Sequence, residues 1–343
     1  MRRLGLVTLL ILSAAAPLPA QDRNHESLVT SLRQLARELA DSGDFAGEIL
    51  LAHNGRVLYH EALGEINPIT HDRARIGDNY NIASVGKLFT ASAIVQLVVS
   101  GRLSLDDTLG QFLADTIRPK GAAGVRLRHI LSHTGGVRRG SDTLVFTPGT
   151  RFEYGNYGYY MLGRLLEAVT GLPFDEHYRR VIFAPLGMTS TFRYVPGSGR
   201  APPPPGFAIS REGGRRTFQE NTELQTTPAT GAGGFYSTAG DLFRFAEALR
   251  LGNVVPLAWV DSMRAPKTDF GASDYGYGID RYRGQNIWGS SGFIPGANAD
   301  VEIYGDSGYL LVVVSNRAAN EPIRQHVASV LGNEPFRNRG DEG

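Results

Sequence analysis

The chain has 343 residues, 42% hydrophobic and 20% charged, with 35 basic against 34 acidic side chains. This is the composition of a globular protein large enough for two domains or subdomains, and with no basic block or acidic run it argues against a nucleic-acid partner. Cysteine is absent, which rules out disulfides, thiolate metal sites, a cysteine nucleophile and a lipidated N-terminal cysteine.

Residues 1–20 read as a signal peptide. Met1-Arg2-Arg3 is basic, Leu4 to Ala16 is apolar and uncharged, and Pro17-Leu18-Pro19-Ala20 supplies a helix break and a small residue. The apolar run is shorter than the roughly 20 residues a membrane span needs, and no later segment is long and apolar enough to cross a bilayer. The expectation is a periplasmic or secreted protein with no stable span once the leader is removed.

An amphipathic helix follows over His25–Asp41, with Leu28, Leu32, Leu35, Ala36 and Leu39 on one face. Gly47–Ala52 and Val57–Leu63 read as strands joined by His53-Asn54-Gly55, a hairpin signal. Asn81–Ser100 reads as a core helix ending at Gly101. From Asp106 to about Thr230 short helical pieces (Leu127–Leu131, Tyr157–Thr170, Phe174–Val181) alternate with Gly- and Pro-rich loops, the clearest being Ala201–Gly206. A helix over Thr238–Arg250 precedes strand-like runs at Tyr277–Tyr282, Gln285–Trp288, Asn298–Tyr304 and Tyr309–Val314, and a last helix over Pro322–Leu331. Short connections between these runs favour antiparallel pairing, since parallel strands need a crossover. The expected fold is α/β of the α+β type: an antiparallel sheet flanked by helices (residues 22–105 plus 231–335), interrupted by a mostly helical insertion (106–230).

Ser84 and Lys87 stand at the start of the Asn81–Ser100 helix. Three positions apart on a helix, they lie on one face, so the amine can reach the hydroxyl. Serine at a helix start is ordinarily a cap and lysine in a first turn is ordinarily solvated, but two features set this pair apart. Only three lysines (Lys87, Lys120, Lys267) occur in an arginine-rich chain, and arginine cannot lose its proton to act as a base. The lysine also faces an apolar helix, where desolvation lowers its pKa toward that of a base. A serine hydroxyl needs such a base to become a nucleophile.

Tyr154 and Asn156 flank a glycine, so both side chains can point the same way; a phenol beside a cationic lysine can ionise and take a proton. Trp288-Gly289-Ser290-Ser291-Gly292-Phe293 reads as a strand ending in small residues, an edge that a substrate backbone could approach. His129 and His133, four apart, could share a helix face as metal ligands, but no third ligand is evident in the sequence. No metal or organic cofactor is called for. G-x-S-x-G, P-loop and dinucleotide fingerprints are missing.

These residues resemble the serine β-lactamase-like family, which includes class C β-lactamases, D-Ala-D-Ala carboxypeptidases, D-aminopeptidases and related esterases. Ser84-Val85-Gly86-Lys87 is similar to its S-x-x-K and Tyr154-Gly155-Asn156 to its Y-x-N. "LRHILSHTGG" (127–136), "TPGTRFEYGNYGYYMLG" (147–163) and "GAGGFYSTAGDLFRFA" (231–246) are family-like too. The resemblance implies a serine hydrolase acting on an ester or amide bond through an acyl-enzyme. Ser84, Lys87 and Tyr154 would be catalytic, and Asn156, Ser290, Ser291, Gly292 and Phe293 would bind substrate. It also implies an oxyanion site between the backbone N–H groups of Ser84 and Phe293. The family's third motif, usually Lys-Thr/Ser-Gly or His-x-Gly, departs here: it is Ser290-Ser291-Gly292, or in a shifted register Trp288-Gly289-Ser290. Neither register supplies a cation for a substrate carboxylate, unless Arg281 or Arg283 reaches it. Esterase or peptidase activity on a small molecule or peptide is therefore favoured over β-lactamase activity. The alternative is a penicillin- or peptidoglycan-binding sensor that acylates with little turnover.

Overall fold

The computed structural model describes residues 20–213, 215–282, 285–317 and 320–333. The expected leader, apart from Ala20, lies outside them. Six antiparallel strands form the sheet: β1 (Gly47–His53), β2 (Arg56–Leu63), β5 (Asp280–Arg281), β6 (Ile287–Ile294), β7 (Ala297–Tyr304) and β8 (Tyr309–Ser315), in the order β2-β1-β8-β7-β6-β5. Asn54 and Gly55, at φ 48° and 79°, make the two-residue turn between β1 and β2, a backbone that suits the strands' twist.

Strand side chains alternate between two apolar layers. Leu50, Ala52, Trp288, Val301 and Val312 join one large core with α2 (Gly86–Val99), α4 (Asn156–Thr170) and α6 (Ala239–Arg250). Ile49, Leu51, Ile287, Leu311 and Val313 join a second core with α1 (Ala20–Asp41) and α8 (Glu321–Val330). The large core runs without a break into residues 106–230, through Leu109, Leu127 in α3 (Leu127–Leu131), Leu162, and Phe174 in α5 (Phe174–Tyr178). No described helix is long and apolar enough to cross a membrane.

Four local expectations need correction. The Asn81–Ser100 helix opens instead with a 3₁₀ turn over Ala83–Val85, because Ala83 takes φ 42° and breaks the helical run before it starts. The Tyr277–Tyr282 strand shrinks to Asp280–Arg281: Tyr277 N–H goes to Met263 O (2.8 Å) and Gly278 N–H to Leu131 O (3.1 Å), away from the ladder. The Gln285–Trp288 strand starts instead at Ile287 and is continuous with the expected Trp288–Phe293 strand, ending at Ile294 and paired throughout with β7. Finally, the insertion contains a hairpin, β3 (Gly206–Glu212) and β4 (Arg215–Asn221). It leans on the β6–β7 turn, where Asn221 Nδ2 donates to Pro295 O at 2.7 Å.

Candidate active site

The turn at Ala83–Val85 lifts Ser84 out of the helix line at the start of α2. It is pinned from several sides: Ala83 N–H donates to Asn81 Oδ1 (2.9 Å), Ile82 N–H to Phe235 O (2.8 Å), and Ala83 O accepts from Gly234 N–H (3.0 Å). A non-glycine residue at positive φ costs about 1–3 kcal/mol and survives only where its surroundings over-determine it.

Lys87, in the first turn of α2, is 1% exposed. Its Nζ donates to Ser84 Oγ (3.0 Å), Asn156 Oδ1 (2.8 Å) and Ala232 O (2.9 Å), one acceptor for each ammonium hydrogen. Burial nonetheless pulls its pKa down to about 7, against a smaller upward pull from Asp280. A buried amine titrating near neutrality, in contact with a serine hydroxyl, is equipped to take that proton. When Lys87 is neutral the bond reverses, and Ser84 donates to the amine.

Asn156 is the first residue of α4, and Tyr154 lies two residues before it. The Tyr154 ring stands 4.9 Å from Lys87 Nζ, close enough for a cation–π contact, and Tyr154 is 41% exposed at the mouth of the site. His133 lies behind it, ring centroids 4.4 Å apart, while its Nδ1 accepts from Gly155 N–H at 3.3 Å. His133 thus buttresses the tyrosine segment. His129 faces elsewhere, against the Phe270 ring.

β6 passes in front of Ser84 with its side chains alternating. Trp288, Ser290 and Gly292 face the α2 side; Ile287, Ser291 and Phe293 face the other. Gly292 lies against the serine turn, where a Cβ would meet Ile82 O at 2.5 Å and Ser84 N at 2.7 Å. Of the two registers considered for the third motif, this contact favours Ser290-Ser291-Gly292. Ser290 is 4% exposed on the Ser84 side. The Ser291 hydroxyl, on the face turned away from Ser84, donates to Asp300 Oδ1 at 2.5 Å. Ser291 N–H points away from β7, toward Asp280 Oδ2 (3.4 Å), and by the two-residue repeat Phe293 N–H points the same way. β5 pairs only with Trp288 and Gly289, so it ends short of Phe293, which is 61% exposed.

The Arg281 guanidinium is turned toward the start of β6, donating to Gln285 O at 3.2 Å. Arg283 lies outside the described residues. Sequence reasoning missed the Ala232 carbonyl and the His133 buttress, although the stretches that carry both, 231–246 and 127–136, stand out in the sequence.

The beta-lactamase family model matches residues 32–331. Penicillin-binding protein 4* of Bacillus subtilis (strain 168) is 25% identical over 352 residues, covering 89% of this chain and 76% of that protein. Among solved structures, a penicillin binding protein from Bacillus halodurans superimposes with a TM-score of 0.71 at 23% identity, over 90% of this chain and 98% of that one. A D-amino acid amidase from Ochrobactrum anthropi SV3 does so with a TM-score of 0.71 at 23% identity, over 89% and 98%. The two likenesses extend the antiparallel sheet with its flanking helices to proteins that bind or cleave quite different molecules.

Proposed function

The chain belongs to the beta-lactamase family, and from that premise we propose that it is an extracytoplasmic serine hydrolase that opens an ester or amide bond through an acyl-enzyme. The observation that carries this reading is the 3.0 Å contact between the buried, pKa-depressed Lys87 amine and Ser84 Oγ. Neutral Lys87 takes the hydroxyl proton as Ser84 Oγ attacks the substrate carbonyl. The oxyanion that forms is held by the N–H groups of Ser84 and Phe293, aided by the N-terminus of α2. Tyr154, beside Lys87, relays the proton to the leaving group. Asn156, tied to Lys87 through Oδ1, offers its amide N–H to the acyl side of the substrate. Water then releases the acid. The basic, apolar residues 1–20 support export.

The substrate class follows from Ser290. A cation there would contribute roughly 1.5–3 kcal/mol to a carboxylate beside the scissile bond, about 10- to 150-fold in kcat/KM, and a serine offers no charge. Short-chain esters, amides and peptides with an N-terminal D-residue are therefore the preferred substrates, ahead of cephalosporins and free-carboxylate peptides. The test is a panel of aryl esters, a chromogenic cephalosporin and a D-Ala-D-Ala peptide, with intact-mass detection of the adduct on Ser84. Rapid ester turnover through a transient adduct supports the reading. A persistent adduct without turnover supports a sensor instead, and faster cephalosporin than ester hydrolysis overturns the substrate preference.

A further inference from the structure

Past Gly289, where the contacts of Ile287, Trp288 and Gly289 with Tyr282 and β5 end, β6 has a ladder neighbour on one side only among the described residues. That segment, from Ser290 to Ile294, is the one that borders Ser84. A strand held on one edge twists easily, and twist would swing the Phe293 N–H off its target. On the face turned away from Ser84, however, Ser291 Oγ is bonded to Asp300 Oδ1 at 2.5 Å. Asp300 is 1% exposed and is itself fixed by Asn320 Nδ2 (2.9 Å) and by Arg324 Nη1 (3.1 Å), both from the α8 end of the chain. Arg324 also donates to the buried Glu302 (2.6 Å), which accepts from Tyr304 OH (2.7 Å). A charge-assisted bond to a carboxylate locked in such a network is about twice as strong as a neutral one.

We infer that Ser291 is a positioning residue: its bond to Asp300 sets the twist of the β6 edge and thereby aims the Phe293 N–H at the oxyanion site. The inference rests on the hydrolase reading above. It assigns the second serine of the motif to the scaffold behind the site, and it makes the junction with α8 part of the machinery.

Ser291→Ala removes this one bond and leaves Asp300 with Asn320 and Arg324. We expect kcat for an aryl ester to fall about 10- to 100-fold with KM within about twofold, as for a displaced oxyanion donor. Ser291→Thr keeps the hydroxyl and should stay within about threefold of the wild type. Tyr304→Phe cuts a different bond of the same network, opposite the far end of β6 at Ile287; it should lower Tm but leave kcat within about twofold. The pH midpoint of kcat/KM should not move in any of them, because Lys87 is untouched. An unchanged kcat in Ser291→Ala, an equal loss in Tyr304→Phe, or a shifted pH midpoint overturns the inference. If the wild type fails to turn over any ester, the hydrolase reading falls by itself. Amide hydrogen exchange then decides the positioning claim: faster exchange across 287–294 in Ser291→Ala upholds it, and unchanged exchange overturns it.

Discussion

Gly292 lies against the main chain of Ser84: a Cβ at position 292 would stand 2.7 Å from the Ser84 amide nitrogen and 2.5 Å from Ile82 O. Because those atoms are backbone, neither can swing aside, and the strand or the serine turn must shift. Gly292→Ala should destabilise the protein by about 1–3 kcal/mol, as overpacking does, and lower ester kcat/KM about 100-fold, as loss of an oxyanion donor does. Thermal melting and steady-state kinetics check both; an alanine variant with wild-type turnover would show that β6 and the turn are not in register.

Ser84→Ala should fold with an unchanged melting profile, since its bond from Lys87 is one of three. It should lose at least ~10³-fold in kcat, because the covalent route disappears. No adduct should appear by intact mass with any ester of the panel. Residual adduct in this variant would move the nucleophile elsewhere.

Lys87 gives a sharper contrast. Burial holds its pKa at about 7, so kcat/KM should rise with pH along a limb centred near that value and level off above it. Lys87→Arg keeps a positive charge but cannot lose a proton near neutral pH to become a base. It should be within about tenfold of Lys87→Ala, both having lost the base. An arginine variant with most of the wild-type activity would show that charge alone suffices.

The same shift has a thermodynamic sign. The folded protein releases this proton near pH 7 and the unfolded chain holds it up to the ordinary lysine pKa of 10.5. Between those values the unfolded state binds more protons, so the contribution of Lys87 to stability rises with pH across that window. Below pH 7 the buried ammonium weighs fully against folding. Lys87→Met carries no such term, so its Tm relative to the wild type should be most favourable at pH 6 and decline steadily to pH 10. A difference independent of pH would contradict the depressed pKa.

Ser290→Lys restores a cation on the Ser84 side of β6. It should raise the ratio of cephalosporin to neutral-ester turnover by about tenfold or more, the value of one charge-assisted bond to a carboxylate. A falling ratio would mean that an arginine already serves the carboxylate and is repelled by the newcomer.

Much of the frame is legible in the sequence because burial leaves a periodic trace. Leu28, Leu32 and Ala36 announce the face of α1, and the apolar run of β8 announces a strand covered on both sides. Ser84, Lys87, Tyr154 and Asn156 are legible for another reason: chemistry restricts residue type more tightly than packing does, and the structure gathers them around one amine. The β3–β4 hairpin leaves little trace because its two strands pair only with each other and are built mainly of polar residues, with Phe207 their one fully buried large side chain among the described residues. Its Gly213-Gly214 turn signal is present but lacks the apolar alternation that would give it weight. The side of the sheet on which Ser291 points depends on strand register, and a run of small residues gives register no hydrophobic marker. The kink at Ala83 leaves no mark either, since alanine is the residue least expected to leave the helical region.

The position of β1 has a consequence for how the molecule is made. It lies between β2 and β8, with Gly47 opposite Ser315, so one of the earliest strands waits for the last one to emerge. Until then its Ile49, Leu50 and Leu51 have an open edge and no finished sheet around them, a pairing of high sequence separation that slows folding. A chain cut before Tyr309 should therefore be recovered as aggregate, however complete its catalytic residues. Ribosome stalls or deletions that remove β8 will be as damaging as those at the serine.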